Sequence, residues 1–395
     1  MSLAVKFDPF DRELHHDPYP VYRRLRDDFP VHHNPHLRFF TLSRYADVLG
    51  ALQTPDLFIS GKGVYVGVPD YDDGKITAQI PLLITTDRPR HTQLRALVSR
   101  AFTPRRIALL EPRIRAIARG LLDNVKGRRE FDLVREFSGP LPTIVIAELL
   151  GVPAEDQEWF KEKSTAVAQF DPTAPRDDTQ MGPAIELGSY LAEVLAARRR
   201  EPRDDLLSAL LAAEIDGQRL SDVELIGFGF LLLVAGNETT TNLISNAAIL
   251  LDRHRDQRRL LLEDPERIPG AVEEFLRFDS PVQGLARTTS APVTLHGVTI
   301  PENSKVLLLF GSANHDERVI PEADRFDVLR APNPHVAFGF GAHFCLGANL
   351  ARLEARVAFE ELLARLPDYR MTQTRVERHC SGPIRGALRL PLAES

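Results

Sequence analysis

Cysteine, methionine and tryptophan are scarce: two, three and one in 395 residues. Two cysteines cannot build a disulfide framework, so each is read singly. There is no membrane-length apolar run. The most apolar stretch, Leu225 to Gly236, is 12 residues between Glu224 and Asn237, whereas a span needs about 20. The N-terminus, MSLAVKFDPFDRELHHDPYPVY, lacks the apolar segment of a signal peptide or anchor. Positive charge is not in excess: 49 Lys and Arg against 55 Asp and Glu give a net charge of −6 and a pI near 6.1. That balance speaks against a general nucleic-acid binder. No internal repeat, low-complexity tract or interdomain linker stands out. The expectation is a soluble cytoplasmic protein with no membrane or nucleic-acid partner.

What is present is ordinary globular composition, 43% apolar and 26% charged. A chain of this length can bury about three quarters of its unfolded surface. Proline punctuates it: 29 in all, none between Pro202 and Pro265. Within that gap Ser221-Asp-Val-Glu224 fits a capping box. The helix opening there is predicted to run to about Asp252, some 30 residues or about 45 Å. Its middle is apolar nearly all round, so it is expected at the centre. Thr103-Pro104 offers an N-cap and an N1 proline, and Pro112 kinks or splits the helix after it. Residues 186–200 and 204–214 carry helical periodicity. Pro269 opens a helix through Arg277, and Ala348 to Arg365 is amphipathic. Strands are predicted at Arg38 to Leu42, at Val293 to Ile300 with a turn at His296-Gly297, at Lys305 to Phe310 and at Arg385 to Leu390. The fold class is mainly α with small β-sheets (α+β). It is read as a single domain, 1–395, a helical body with a peripheral β-rich lobe including about 31–42, 293–310 and 385–390.

Residues able to carry chemistry cluster in Phe338-Gly-Phe-Gly341-Ala-His343-Phe-Cys345-Leu-Gly347. Glycine permits tight turns and close approach to a flat ligand. A cysteine entering a helix N-terminus meets free N–H groups and the positive end of the dipole. Both favour thiolate over thiol, and a thiolate so placed is a good metal ligand. The plainer alternative is a small buried cysteine beside a glycine turn. A zinc site would need a second Cys or paired His at ligand spacing, which His335 and His343 do not supply. Cys380 stands in no motif and is read as packing or an exposed thiol.

The pattern Phe338-x-x-Gly341-x-x-x-Cys345-x-Gly347 resembles the haem-binding signature of the cytochrome P450 superfamily, whose iron is held by a cysteine thiolate. The resemblance implies the cytochrome P450 fold, with a long central helix crossing the haem. It makes Cys345 the iron ligand of haem b (iron protoporphyrin IX), with Phe338 and Gly347 beside the cofactor. Two further motifs stand upstream in the family's order. Ala235-Gly-Asn-Glu238-Thr239-Thr240 is similar to the oxygen-activation segment, with Ala235 and Gly236 at the cofactor. Gly236 costs about 1 kcal/mol in a helix interior and is expected to open a groove for O2. Thr239 is expected to hold the oxygen through its hydroxyl, and Glu238 to pass protons inward through water. Glu274-Phe-Leu-Arg277 resembles the family's structural ion pair, with acid and base on one helix face. Four residues fill positions that hold the haem propionates: His91 and Arg95 in Asp87-Arg-Pro-Arg-His91-Thr-Gln-Leu-Arg95, together with Arg287 and His343. Arg88 stands where the family has a proline.

The implied activity is that of a bacterial soluble haem–thiolate monooxygenase. Such an oxidoreductase activates O2 with two electrons and hydroxylates or otherwise oxidises a lipophilic small molecule. The chain has no flavin or iron–sulfur segment, so electrons from NAD(P)H are expected through a separate ferredoxin and ferredoxin reductase. Arg100, Arg105, Arg106 and Arg352 are candidate ferredoxin contacts on the cysteine side, and the protein is expected to be a monomer. The alternatives are an H2O2-driven peroxygenase, a branch of the family that replaces the acid–threonine pair present here, and a non-catalytic haem gas-sensing or binding protein. The substrate wall implied by the family takes Ile84, Phe170, Phe230, Leu231, Val234, Ala235, Val282, Leu285 and Ile384, with Gln283 the one polar exception. Residues 61–80, rich in glycine and aspartate, are expected to gate entry. Apolar walls suit a lipophilic substrate in a pocket of roughly 300–1,000 Å³. Terpenoid, steroid, fatty acid, macrolide and small aromatic remain open.

Overall fold

The computed structural model describes residues 5–67, 82–168, 178–215, 217–379, 382 and 384–394. The capping box at Ser221 closes as expected: the Glu224 N–H donates to Ser221 Oγ at 3.3 Å, and the Ser221 N–H to Glu224 Oε2 at 2.9 Å. From it springs a 32-residue helix, Asp222–Arg253. By length and composition alone this helix could cross a membrane, but every side chain from Asn242 to Leu251 is buried in the protein. Around it pack Pro140–Leu149, Gln157–Ala168, Asp178–Arg200, Ile268–Phe278 and Ala348–Arg365. Together they form the main apolar core.

Local signals set most helix ends. Thr103 caps Pro104–Ala108, and Pro112 sits in the first turn of Glu111–Asp123. Pro269 does the same for Ile268–Phe278. Two boundaries differ from expectation. The helix read from 186 begins at Asp178 and runs through Pro183; a proline that near the start forfeits little of the hydrogen-bond ladder. The one read from 204 begins at Leu206, because Asp205 serves as its cap and accepts from the Ser208 N–H at 2.8 Å.

Among the described residues ten short strands make three sheets. They are β1 (Val31–Asn34), β2 (Phe39–Leu42), β3 (Phe58–Ile59), β4 (Phe131–Asp132), β5 (Leu285–Thr289), β6 (Val293–Leu295), β7 (Val298–Ile300), β8 (Lys305–Leu308), β9 (Arg370–Met371) and β10 (Pro391–Ala393). The largest sheet runs β1-β2-β8-β5-β3, with β2 and β8 parallel and the other pairs antiparallel. It covers a second core shared with the helix Tyr45–Gln53. The β6–β7 hairpin turns at His296 and Gly297, both at positive φ, the conformation of a two-residue hairpin turn. Arg38, at φ 52°, belongs to the turn before β2 rather than to the strand.

The strand expected over Arg385 to Leu390 is a correction. Only isolated bridges form there, Val282 with Ile384 and Arg378 with Ala387, and the strand falls at Pro391–Ala393. Arg385 is drawn instead into a buried ion cluster, its Nε 2.7 Å from Asp279 Oδ1. Gly386 packs directly against Asn242, which leaves no room for a side chain.

Candidate functional site

Glycines shape the Cys345 loop where the backbone needs them. Gly339 and Gly341 lie at φ 68° and 69°, and a side chain on Gly341 would come within 2.8 Å of the Leu52 carbonyl. The Cys345 N–H donates to the Phe338 carbonyl at 3.0 Å. Gly347 is the N-cap of Ala348–Arg365, and its N–H donates to the sulfur. The thiol nevertheless behaves differently from expectation. Burial pushes it up, against the Gly347 N–H and the Arg95 and Arg352 charges that pull it down. Those donors and charges favour the thiolate against burial, and a cation bound at the sulfur would add to them.

The surroundings supply the other half of such a site. The His91 and His343 rings lie against each other tilted by 42°, with centroids 4.1 Å apart. His343 Nε2 lies 3.3 Å from Ser60 Oγ, whereas His91 Nε2 is buried with no partner. Burial, then the Arg287 charge, push His343 down to about 3, and burial with Arg95 lowers His91. Arg287 is only 4% exposed. Among the described residues its one hydrogen bond is to the carbonyl of its neighbour Ala286, 2.7 Å, and burial brings it down to about 10. No carboxylate pairs with Arg95 or Arg287 among the described residues. The nearest, Asp87, is spent on the Ser60 and Gly61 N–H groups, both at 2.7 Å. Two guanidinium groups without counter-ions and an orphaned imidazole are costly unless an anion joins them. Two propionates beside a sulfur ligand answer that need, so these residues fit haem b.

On the central helix, Ala235 is exposed and Phe230, Leu231, Val234 and Thr239 are half-buried, so this stretch borders open space. The Thr239 hydroxyl donates to the Ala235 carbonyl at 2.6 Å. Glu238 faces elsewhere, into a cleft of about 810 Å³ whose lining includes Lys161, Glu136, Asn242 and His379. Its Oε1 has no partner, and burial pushes the carboxyl up to about 8. Gly236 needs a different explanation from the groove for O2. A side chain there would lie 2.6 Å from Ile146 Cδ1, so the glycine permits close packing against the helix Pro140–Leu149.

Ile84, Val282, Leu285 and Ile384 are half-buried, and Val282 and Ile384 are joined by a bridge. Gln283, the one polar residue among the wall candidates, is buried: its Nε2 donates to the Ser280 carbonyl at 2.7 Å, and its Oε1 lies against Gly311. Phe170, Cys380 and most of the expected gate, 68–80, lie outside the described residues. Glu274 and Arg277 are fully buried and bidentate, both contacts 2.7 Å. Arg277 also donates to the Asn314 and Ala323 carbonyls, and Glu274 accepts from Asn333 Nδ2 at 3.0 Å. Of the candidate ferredoxin contacts, Arg105 and Arg106 are exposed, but Arg352 is gripped by Glu273.

Sequence reasoning missed two carboxylates. Glu273, beside the expected pair, binds Arg352 and His335. Glu354 is buried and accepts from the Thr240 hydroxyl; burial pushes it up to about 8. The available signal for Glu273 was its place next to the Glu274 motif; nothing in the sequence of Ala348–Arg365 marks Glu354.

A family model for cytochrome P450 matches residues 187–367. The chain is 43% identical to putative cytochrome P450 123 of Mycobacterium tuberculosis over 391 residues, 98% of this chain and 96% of that one. It is 46% identical to the vitamin D(3) 25-hydroxylase of Pseudonocardia autotrophica over 366 residues, 91% of this chain and 89% of that one. Among solved structures, cytochrome P450 CYP109Q5 from Chondromyces apiculatus superposes with a TM-score of 0.91 at 40% identity, covering 99% of this chain and 98% of that one. CYP109E1 from Bacillus megaterium in complex with testosterone gives 0.87 at 35% identity, covering 96% and 99%.

Proposed function

The chain belongs to the cytochrome P450 family and is a monooxygenase, and on that footing we propose that it hydroxylates a steroid-like lipophilic molecule with electrons from NAD(P)H through a ferredoxin reductase and a ferredoxin in the cytoplasm. The observation that carries the site is the convergence of Arg95, Arg287, His91 and His343 near the Cys345 sulfur, with no carboxylate paired to either guanidinium among the described residues. In this reading Cys345 ligates the iron and those four hold the propionates. The bound haem supplies O2 activation. The chain's own residues supply protons and a dry wall. Glu238, pushed up to about 8 by burial, holds a proton at neutral pH and borders the cleft from which replacements would come. Thr239 holds its hydroxyl proton on the Ala235 carbonyl and can turn it toward the open space. Half-buried Phe230, Leu231, Val234 and Ile384 favour an apolar substrate. The steroid class is supported by the names of two relatives, a vitamin D(3) hydroxylase and a testosterone complex.

The test is spectroscopic. Haem-loaded protein should show the red-shifted band of the reduced carbonyl complex, and Cys345→Ser should lose it. Steroids and secosteroids should displace the water on the iron and shift the haem band at lower concentrations than fatty acids or macrolides do. A Cys345→Ser variant that keeps the band removes Cys345 as ligand; fatty acids binding tighter than steroids remove the substrate assignment.

A further inference from the structure

Glu273 stands next to Glu274 in sequence but grips a different structure. Its Oε1 accepts from Arg352 Nε at 2.7 Å and its Oε2 from Arg352 Nη2 at 2.8 Å, a bidentate fork of the strong kind. Its Oε2 also lies 3.0 Å from His335 Nε2. Fixed in this way, the Arg352 guanidinium lies over the Phe338 ring, 4.6 Å from its centroid, within cation–π range. The rings of His335 and Phe344 flank Phe338, each with a centroid separation of 6.2 Å. His335 Nδ1 accepts from the Ala337 N–H at 3.3 Å, and the Phe338 carbonyl accepts from the Cys345 N–H. One carboxylate on Ile268–Phe278 thus holds the cysteine loop at both ends, through His335 before it and Arg352 after it.

The arrangement is electrostatic as well as mechanical. The Arg352 guanidinium is near enough to pull on the Cys345 sulfur. Burial works against Glu273 ionising, yet the Arg352 and His335 hydrogen bonds hold it down to about 2, so it stays charged at working pH. Charges and hydrogen bonds just outside a metal's ligands set the ligand's donor strength.

We propose that Glu273 is a positioning residue for the Cys345 sulfur, acting through Arg352: it fixes the Phe338 plate and cancels a guanidinium charge that the sulfur would otherwise feel. The proposal rests on the haem–thiolate reading and deepens it. It also removes Arg352 from the free cations available to a docking ferredoxin.

Glu273→Gln, Arg352→Met and the double variant, all haem-loaded, test it. The measurements are the reduction potential, by spectroelectrochemistry, and the rate at which the reduced carbonyl complex loses its thiolate band. Glu273→Gln leaves the guanidinium uncancelled and shifts the potential positive. Arg352→Met leaves the carboxylate uncancelled and shifts it negative. The double variant returns close to the starting value, while all three lose the band several-fold faster. A purely structural clamp would not produce opposite signs. Shifts of one sign, or none, overturn the proposal. Should Glu273→Gln fail to hold haem, Arg352→Lys decides, since it keeps the charge but loses fork and plate. Faster band loss at an unchanged potential upholds the positioning role, and band loss at the unsubstituted rate overturns it. If the unsubstituted protein itself lacks the thiolate band, both readings fall; if it has the band and the variants do not respond, only this one does.

Discussion

Replacing Glu354 by glutamine should cost a little stability at acid pH and add stability as pH rises. Glu354 is 1% exposed. It accepts one hydrogen bond, from Thr240, while its Oε1 has no partner among the described residues. Burial pushes its carboxyl from the ordinary 4.5 up to about 8. The folded value is the higher one, so the folded state holds the proton more tightly. Its contribution is fully present below about 4.5 and is lost as pH rises through about 8. At about 1.4 kcal/mol per pH unit, the ceiling is about 5 kcal/mol above pH 8 and about 3 kcal/mol at pH 7. Glutamine keeps the shape and the acceptor for Thr240 and never ionises. It also buries an N–H2 group beside an atom that now has no partner, which costs about 1–3 kcal/mol. The net expectation is a slight loss at pH 5 and a gain of about 1–3 kcal/mol at pH 8. Urea midpoints followed by far-UV circular dichroism on haem-loaded protein at both pH values would read it. An offset between variant and parent that does not change with pH would refute the argument, because titration is its only source of pH dependence.

Three further outcomes are expected. Glu274→Gln leaves the fully buried Arg277 without its counter-charge, and should cost about 3–5 kcal/mol, seen as lost soluble yield and haem content; a thermal melt within a degree of the parent would contradict it. Gly236→Ala sets an overpacking cost of about 1–3 kcal/mol against about 1 kcal/mol of helix propensity regained, a net loss of at most about 2 kcal/mol, and adding Ile146→Val, which removes the Cδ1 lying 2.6 Å from the new methyl, should relieve the overpacking; a double variant no more stable than Gly236→Ala would place the clash elsewhere. For the proton route, Glu238 titrates near 8, so product formed per NAD(P)H should fall as pH rises through that value. Glu238→Gln should be poorly coupled at every pH, and Thr239→Ala should divert electrons to peroxide. Coincident profiles for parent and Glu238→Gln would end its role.

How much of this could be read beforehand depended on how far along the chain each determinant lies. The central helix was legible because its start is written in four consecutive residues, Ser221 to Glu224, and its interior carries no proline. The cysteine loop was legible for the same reason: turn glycines, sulfur and helix cap occupy nine successive positions, Gly339 to Gly347. Gly236 misled because its missing side chain answers Ile146, which stands 90 positions earlier. The Arg385 to Leu390 strand misled because Arg385 is captured by Asp279, a partner from another part of the fold. Glu273 and Glu354 were passed over because an acid on an amphipathic helix normally faces solvent. Nothing in Ala348–Arg365 distinguishes buried Glu354 from Glu360, which the structure places in a partly exposed ion-pair network with Arg115 and Arg356. Only the packing of two helices separates them. Proximal charges therefore call for structural inspection even where a haem motif is plain: the motif names the ligand, but the groups that set the ligand's strength are brought to it by tertiary contact.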